Sequence, residues 1–127
     1  MAFKIALSAS FLALVKLPSI DGKGRRVENV IRLKFKRHNR EEIDALLKQA
    51  KEDNEALGGA EQSITEKIDS DLDFLLLFLE GWEDVQIGES TEFNRENLRH
   101  ILVAYPMAAA DIYNAFLKAN AGIELGN

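Results

Sequence analysis

The feature that most constrains how this chain folds is an apolar run from Leu72 to Leu79 that only Asp73 interrupts. An amphipathic helix buries one stripe, so a run this rich needs several surrounding elements, or a partner that covers part of it. The run continues into Gly81-Trp82-Glu83-Asp84-Val85. No catalytic group of residues lies near it, so we interpret it as packing and contact surface.

Helical spacing predicts one long helix through this run to Gly81, starting at a capping box of Ser63 and Glu66. The predicted stripe consists of Ile64, Ile68, Leu72, Leu75 and Leu79. Three large side chains fall off that stripe: Phe74, Leu77 and Phe78. Their burial requires a second surface, which either this chain or a partner provides.

Capping signals predict three further helices. Asn39 and Glu42 form a capping box for the first helix, which Gly58-Gly59 ends. The next helix starts at Asn94, with Phe93 and Leu98 placed as a hydrophobic staple, and it ends at Tyr105-Pro106. The last helix covers 107–121, with Gly122 at its end. Its apolar stripe is Ile112, Tyr113, Phe116 and Leu117.

Alternation of apolar and polar residues predicts two strands before these helices. The predicted core-facing residues of the first strand are Phe3, Ile5, Leu7, Ala9 and Phe11, and those of the second are Val27, Asn29, Ile31, Leu33 and Phe35. A turn over 18–24 joins the strands, and Arg and Lys face solvent. The predicted fold is therefore α+β and mostly helical: an antiparallel β-hairpin over 1–37, then about four α-helices over 39–127, packed as one small domain.

Charge is unevenly distributed along the chain, although the net value is only −5. The segment Lys23–Arg40 is strongly basic, with Glu28 as its single acid, and the remainder is acidic. This basic hairpin either binds nucleic acid or meets acidic helices, of its own or of another copy; we favour the helices. The N-terminus imitates a secretory signal, but Lys16 and Pro18 end its apolar stretch without a convincing cleavage site, so we expect no export.

Catalytic and metal-binding patterns are weak. Asp69 to Asp73 with Glu80 matches the acidic spacing of a calcium loop, but Phe74 stands where that loop requires glycine, so we expect a helix with a solvated acidic face. His38 and His100 lack partners at metal-ligand spacing, and the chain contains no cysteine. We therefore predict no catalytic, cofactor-binding or metal site. For Trp82 we favour a core position over an interface anchor.

Several segments, taken in order, resemble the tail assembly chaperones of long-tailed bacteriophages. They are Lys34-Phe35-Lys36-Arg37 leading into Glu41-Glu42-Ile43, then Gly81-Trp82-Glu83-Asp84-Val85, then Phe93-Asn94-Arg95-Glu96-Asn97-Leu98, and finally Tyr105-Pro106. The resemblance covers most of the chain.

The resemblance implies a non-enzymatic protein that binds the long helical tape measure protein and keeps it soluble until tail tube subunits replace it. It also implies action in the cytoplasm of an infected or lysogenic host and absence from the mature virion. Because a helical protein with spare apolar surface often associates head to tail, we expect self-association into open oligomers. Two alternatives stay open: a minor structural tail protein, and a nucleic-acid-binding regulator that uses the basic hairpin. No segment reaches the length of a membrane helix.

The family fixes no contact residues, so the choice of partner-binding residues comes from local reasoning. The predicted contacts are first Phe74, Leu77 and Phe78, then Tyr113 and Phe116. The first three are the side chains off the predicted stripe, and the last two belong to the stripe of the final helix.

Overall fold

The computed structural model describes residues 7–56 and 64–122. The elements in this part of the chain are β1 (Ser10–Ile20), β2 (Arg26–Lys36), α1 (Arg40–Ala56), α2 (Ile64–Leu75), β3 (Leu79–Glu83), α3 (Arg95–Ala104) and α4 (Ala108–Asn120). The predicted α+β class, with an N-terminal antiparallel hairpin followed by four helices in one small domain, is confirmed.

β1 and β2 form the hairpin, with Phe11 opposite Phe35 and Ile20 opposite Arg26. The Asp21 carboxylate closes the turn by accepting hydrogen bonds of 2.9 Å from the backbone N–H groups of Lys23 and Arg25. Gly24 follows with φ of 79°, a left-handed conformation that glycine adopts without steric cost.

The predicted position of the first strand is wrong, although the prediction that its odd-numbered residues face the core is right. Residues 3–6 lie outside the described part of the chain, and β1 begins only at Ser10 and continues to Ile20. Pro18 therefore lies in the strand and not in the turn. β1 tolerates this proline because it is an edge strand of the sheet order β1-β2-β3.

The prediction of one helix continuing to Gly81 is also wrong. α2 ends at Leu75, a turn follows, and β3 pairs antiparallel with β2. The backbone N–H of Lys36 donates to the Phe78 carbonyl over 2.8 Å, which starts this pairing. The strand satisfies backbone groups along the second edge of β2, a long-range requirement that helical periodicity does not reveal. Leu79 would be buried both in a longer helix and in β3, so the helical stripe alone does not distinguish the two structures.

The predicted caps of the other helices hold wherever the structure describes them. Asn39 and Glu42 exchange the two capping-box hydrogen bonds, at 3.0 and 2.9 Å. The Asn94 side chain accepts from the Asn97 N–H over 2.8 Å at the start of α3. Gly122, with φ of 82°, follows α4 as expected. The predicted signals Gly58-Gly59 and Ser63 lie outside the described residues.

One hydrophobic core joins the inner face of the sheet to the helices. From the strands it takes Val15, Leu17, Leu33, Phe35 and Leu79; from the helices and connections it takes Leu46, Leu72, Leu75, Phe78, Val85, Leu98, Ile101, Leu102, Ala108, Ile112 and Phe116. α4 packs against β1 and α2, and α2 also packs against α3. Trp82 packs against the edge of this core, as favoured, and its indole N–H donates to the Thr91 carbonyl over 3.0 Å.

Candidate partner-binding groove

A half-open groove of about 530 Å³ lies between α1, α2 and the start of α4. We call it the α2–α4 groove. Its apolar lining is Ala50, Phe74, Leu75, Pro106, Met107, Ala109, Ala110 and Tyr113, and its polar lining is Lys67, Ser70 and Asp71. The volume falls in the range of ordinary ligand pockets in proteins.

Two of the predicted contact residues meet in this groove. The rings of Phe74 and Tyr113 lie edge to face, with their centroids 5.0 Å apart. Both rest on the buried Phe78, at 5.4 and 5.9 Å. Phe78 in turn stacks on Phe116 at 4.3 Å. The groove therefore has a floor of interlocked aromatic rings, which fixes the positions of its two aromatic lining residues.

The structure divides the five predicted contact residues by burial. Phe78 and Phe116 are both 0% exposed, so the second surface that Phe78 requires comes from this chain. Phe74, Leu77 and Tyr113 are half-buried and pack against the core with part of their surface free. Leu77 does not line the groove. Contact of any of these residues with a partner stays a prediction.

Sequence reasoning missed the part of the groove lining that comes from the start of α4. Met107 is 63% exposed there, followed by the small residues Ala109 and Ala110 at the start of α4. The signal was present as the run Met107-Ala108-Ala109-Ala110 after Pro106. Small side chains let another helix approach closely, and methionine adapts to irregular apolar surfaces.

The groove also contains a buried hydroxyl and a charged rim. The Tyr113 hydroxyl is buried and has no hydrogen-bond partner among the described residues. Burial raises the pKa of Tyr113 above its ordinary value, since the phenolate form loses hydration. At the rim, Lys67 Nζ lies 3.0 Å from Asp71 Oδ1 one helical turn away. The lining is therefore mixed: Lys67, Ser70 and Asp71 place polar groups beside its apolar and aromatic side chains.

The basic outer face of the sheet is a second candidate surface. Arg32 pairs with Glu83 at 3.3 Å and Lys34 with Glu80 at 3.8 Å. These acids belong to β3, whereas we favoured acids on helices as partners. The described outer-face positions also include exposed apolar side chains, namely Leu12, Leu14 and Val30, and no aromatic ring for stacking on bases.

Asp69, Asp71 and Asp73 of the pattern that resembles a calcium loop lie inside α2, as their helical interpretation predicted, whereas Glu80 lies in β3. Arg95 Nη1 is 2.7 Å from Asp73 Oδ1, and Arg95 Nη2 is 4.0 Å from Asp69. Across residues 7–56 and 64–122, the structure shows no group of three or more His, Asp or Glu side chains that could hold a metal ion. Nor does that part of the chain contain a helix long and apolar enough to cross a bilayer.

Comparison with known proteins gives one result that covers the whole chain. No curated protein and no solved structure matches the chain significantly. A family model described as phage tail assembly chaperone matches residues 1–127, which confirms the resemblance found in the sequence. The chain therefore belongs to this family of phage tail assembly chaperones.

Proposed function

We propose that this protein binds the tape measure protein of its phage, keeps it soluble and helps to recruit tail tube subunits during tail assembly. Membership of the chaperone family over the full chain is the observation that supports this role. The protein acts without catalysis, in the cytoplasm of the infected or lysogenic host, and is absent from the mature virion.

The α2–α4 groove supports a specific mode of binding. An amphipathic helix binds an apolar groove by inserting side chains spaced three and four residues apart. Phe74 and Tyr113 provide a rigid aromatic part of the lining, and the small side chains of Ala109 and Ala110, one turn before Tyr113 on α4, leave space for the partner backbone. We propose that helical segments of the tape measure protein occupy this groove.

The distribution of charge supports the solubilising part of the role. A helix bound in the groove no longer exposes its apolar stripe to water, and the complex retains the charged surface of the chaperone. The net charge of −5 favours dispersion over aggregation. Self-association into open oligomers along one tape measure molecule stays a prediction.

Co-expression with the tape measure protein tests the proposal and its site together. The Met107→Glu variant places a charge in the groove at a side chain that is 63% exposed, so the fold tolerates it. Val103→Glu is the matched control, since Val103 is 54% exposed on α3 and does not line the groove. We expect the wild type and Val103→Glu to keep the tape measure protein soluble and bound, and Met107→Glu to lose most of the co-purified partner.

Two outcomes of this experiment would contradict different parts of the proposal. Precipitation of the tape measure protein beside the wild-type chain contradicts the proposed function. Equal recovery with Met107→Glu contradicts the groove as the binding site but leaves the function intact. Mass spectrometry of purified virions then tests the location: stoichiometric recovery of this protein in mature particles favours a minor structural tail protein instead.

A further inference from the structure

Within residues 7–56 and 64–122, the Tyr113 hydroxyl is the one buried side-chain oxygen or nitrogen without a hydrogen-bond partner. The same residue lines the α2–α4 groove. A buried polar group that gains no hydrogen bond destabilises a fold, and native structures contain few of them. Its position beside a groove therefore points to a use outside the free protein.

The rest of the Tyr113 side chain does not explain the hydroxyl. The ring packs at 5.0 Å on Phe74 and at 5.9 Å on Phe78, and a phenylalanine ring would make the same contacts. The buried hydroxyl oxygen of Tyr113 costs free energy because it loses its hydration without gaining a hydrogen bond. The same burial raises the pKa of Tyr113.

We propose that Tyr113 is a specificity-determining contact of the groove, whose hydroxyl hydrogen-bonds a polar side chain on the bound partner helix. The inference rests on the proposed function and names the partner chemistry: an apolar helix face that carries one hydrogen-bonding residue among its anchors. A phenolic hydroxyl both donates and accepts, so an amide, a hydroxyl or a carboxylate on the partner satisfies it.

Binding of this kind requires local movement in the groove. The hydroxyl is covered in the free protein, so a partner reaches it only when groove side chains rotate. Met107 and Lys67 line the groove and have unbranched, flexible side chains, which makes such a rotation inexpensive. An entirely apolar helix leaves the hydroxyl unsatisfied and binds more weakly for that reason.

The test is the conservative variant Tyr113→Phe, with Tyr105→Phe as its control. Tyr105 is partly buried at the end of α3 and does not line the groove. Each variant competes with a differently tagged wild-type copy for co-expressed tape measure protein, and thermal unfolding of the free variants is measured separately. We expect Tyr113→Phe to bind on the order of tenfold more weakly and to unfold at the same or a higher temperature. Tyr105→Phe competes equally with the wild type.

Weaker binding of the tape measure protein together with an unchanged or higher unfolding temperature distinguishes this role from simple packing. If Tyr113→Phe competes as well as the wild type, the hydroxyl makes no contact with the partner and the inference is wrong. If the free variant unfolds at a clearly lower temperature, the hydroxyl already has a partner in the free protein, which also overturns it. If the wild-type chain itself captures no tape measure protein, the proposed function fails first.

Discussion

The outer face of the sheet and the α2–α4 groove both expose apolar side chains, but they do so in different ways. On the sheet, Leu12, Leu14 and Val30 stand among ion-paired Arg32 and Lys34 on one face of a strand pair. In the groove, side chains from three helices converge around a concave space with an aromatic floor.

Exposed apolar area alone therefore does not identify a binding site. A concave apolar surface surrounds a partner side chain and removes most of its area from water, whereas an open face interrupted by charges removes much less. The groove is therefore the stronger candidate for a helical partner. If so, substitutions of the residues that hold the groove and the sheet in place should have unequal effects on stability.

Phe78 supports the groove from below and is not itself a contact surface. Phe78→Ala removes a ring that touches Phe74, Tyr113 and Phe116, and we expect it to lower the free energy of unfolding by about 3–5 kcal/mol. Urea denaturation measures the change. Leu77→Ala is the control, since Leu77 is half-buried and should cost clearly less. A Phe78→Ala variant as stable as the wild type would show that Phe78 is not the core residue described.

The two faces of the hairpin should respond unequally to the same chemical change. Leu33 is 0% exposed on the inner face, so Leu33→Ala should cost about 3 kcal/mol. Leu14 is 41% exposed on the outer face, and Leu14→Ala should cost about 0.5 kcal/mol. Thermal or urea unfolding of the pair checks this. Similar losses for both variants would mean that another part of the protein or a second copy covers the outer face.

Asn97 joins the loop after β3 to α3 through a buried amide. Its side-chain N–H group donates to the Glu92 carbonyl at 2.8 Å and to the Ser90 hydroxyl at 3.1 Å. Asn97→Ala should lower the free energy of unfolding by about 2 kcal/mol because the buried Asn97 amide no longer joins the Glu92 carbonyl and the Ser90 hydroxyl to α3. Asn114→Ala, at an exposed position of α4, is the control and should change stability little. Equal effects would contradict the buried bridge.

The smallest expected effect is at the hairpin turn. Hydrogen bonds from the backbone of Arg25 and Lys23, and from the Arg25 side chain, lower the pKa of Asp21 below its ordinary value of 3.8. Because the pKa of Asp21 is lower in the folded protein, the ionised carboxylate stabilises the fold at pH values above the unfolded-state pKa. This contribution to the free energy of unfolding is lost as the pH falls through the folded-state pKa. Titration of the Asp21 carboxyl by NMR should show the lowered pKa. A pKa at or above the ordinary value would mean that the turn does not form as described.

Local signals in the sequence predicted much of the fold. The Asn39 capping box, the Asn94 cap and the Tyr105-Pro106 break depend on neighbouring residues, and each lies where expected. The inward parity of the strands was also predictable, since alternation fixes which residues share a face. β3 was not predictable in this way because its pairing with β2 joins distant parts of the chain.

The candidate groove was only partly predictable for the same reason. Phe74 was chosen because it falls off the predicted stripe and Tyr113 because it belongs to the stripe of the last helix, and the fold brings their rings together at 5.0 Å. The fate of Phe78 and Phe116 depended on how the helices pack, which periodicity does not specify. The contribution of Met107, Ala109 and Ala110 was missed because small residues at a helix start indicate a close approach only once the neighbouring helix is known.

Site-specific photo-crosslinking tests most directly the claim that the groove, and not the sheet, holds the tape measure protein. A photoreactive phenylalanine analogue at Ala110 lies in the groove, and the same analogue at Val30 lies on the outer sheet face; both positions are exposed. Each variant is co-expressed with the tape measure protein and irradiated. We expect a crosslink to the tape measure protein from position 110 and none from position 30. A crosslink from position 30 alone would contradict it and place the partner on the sheet.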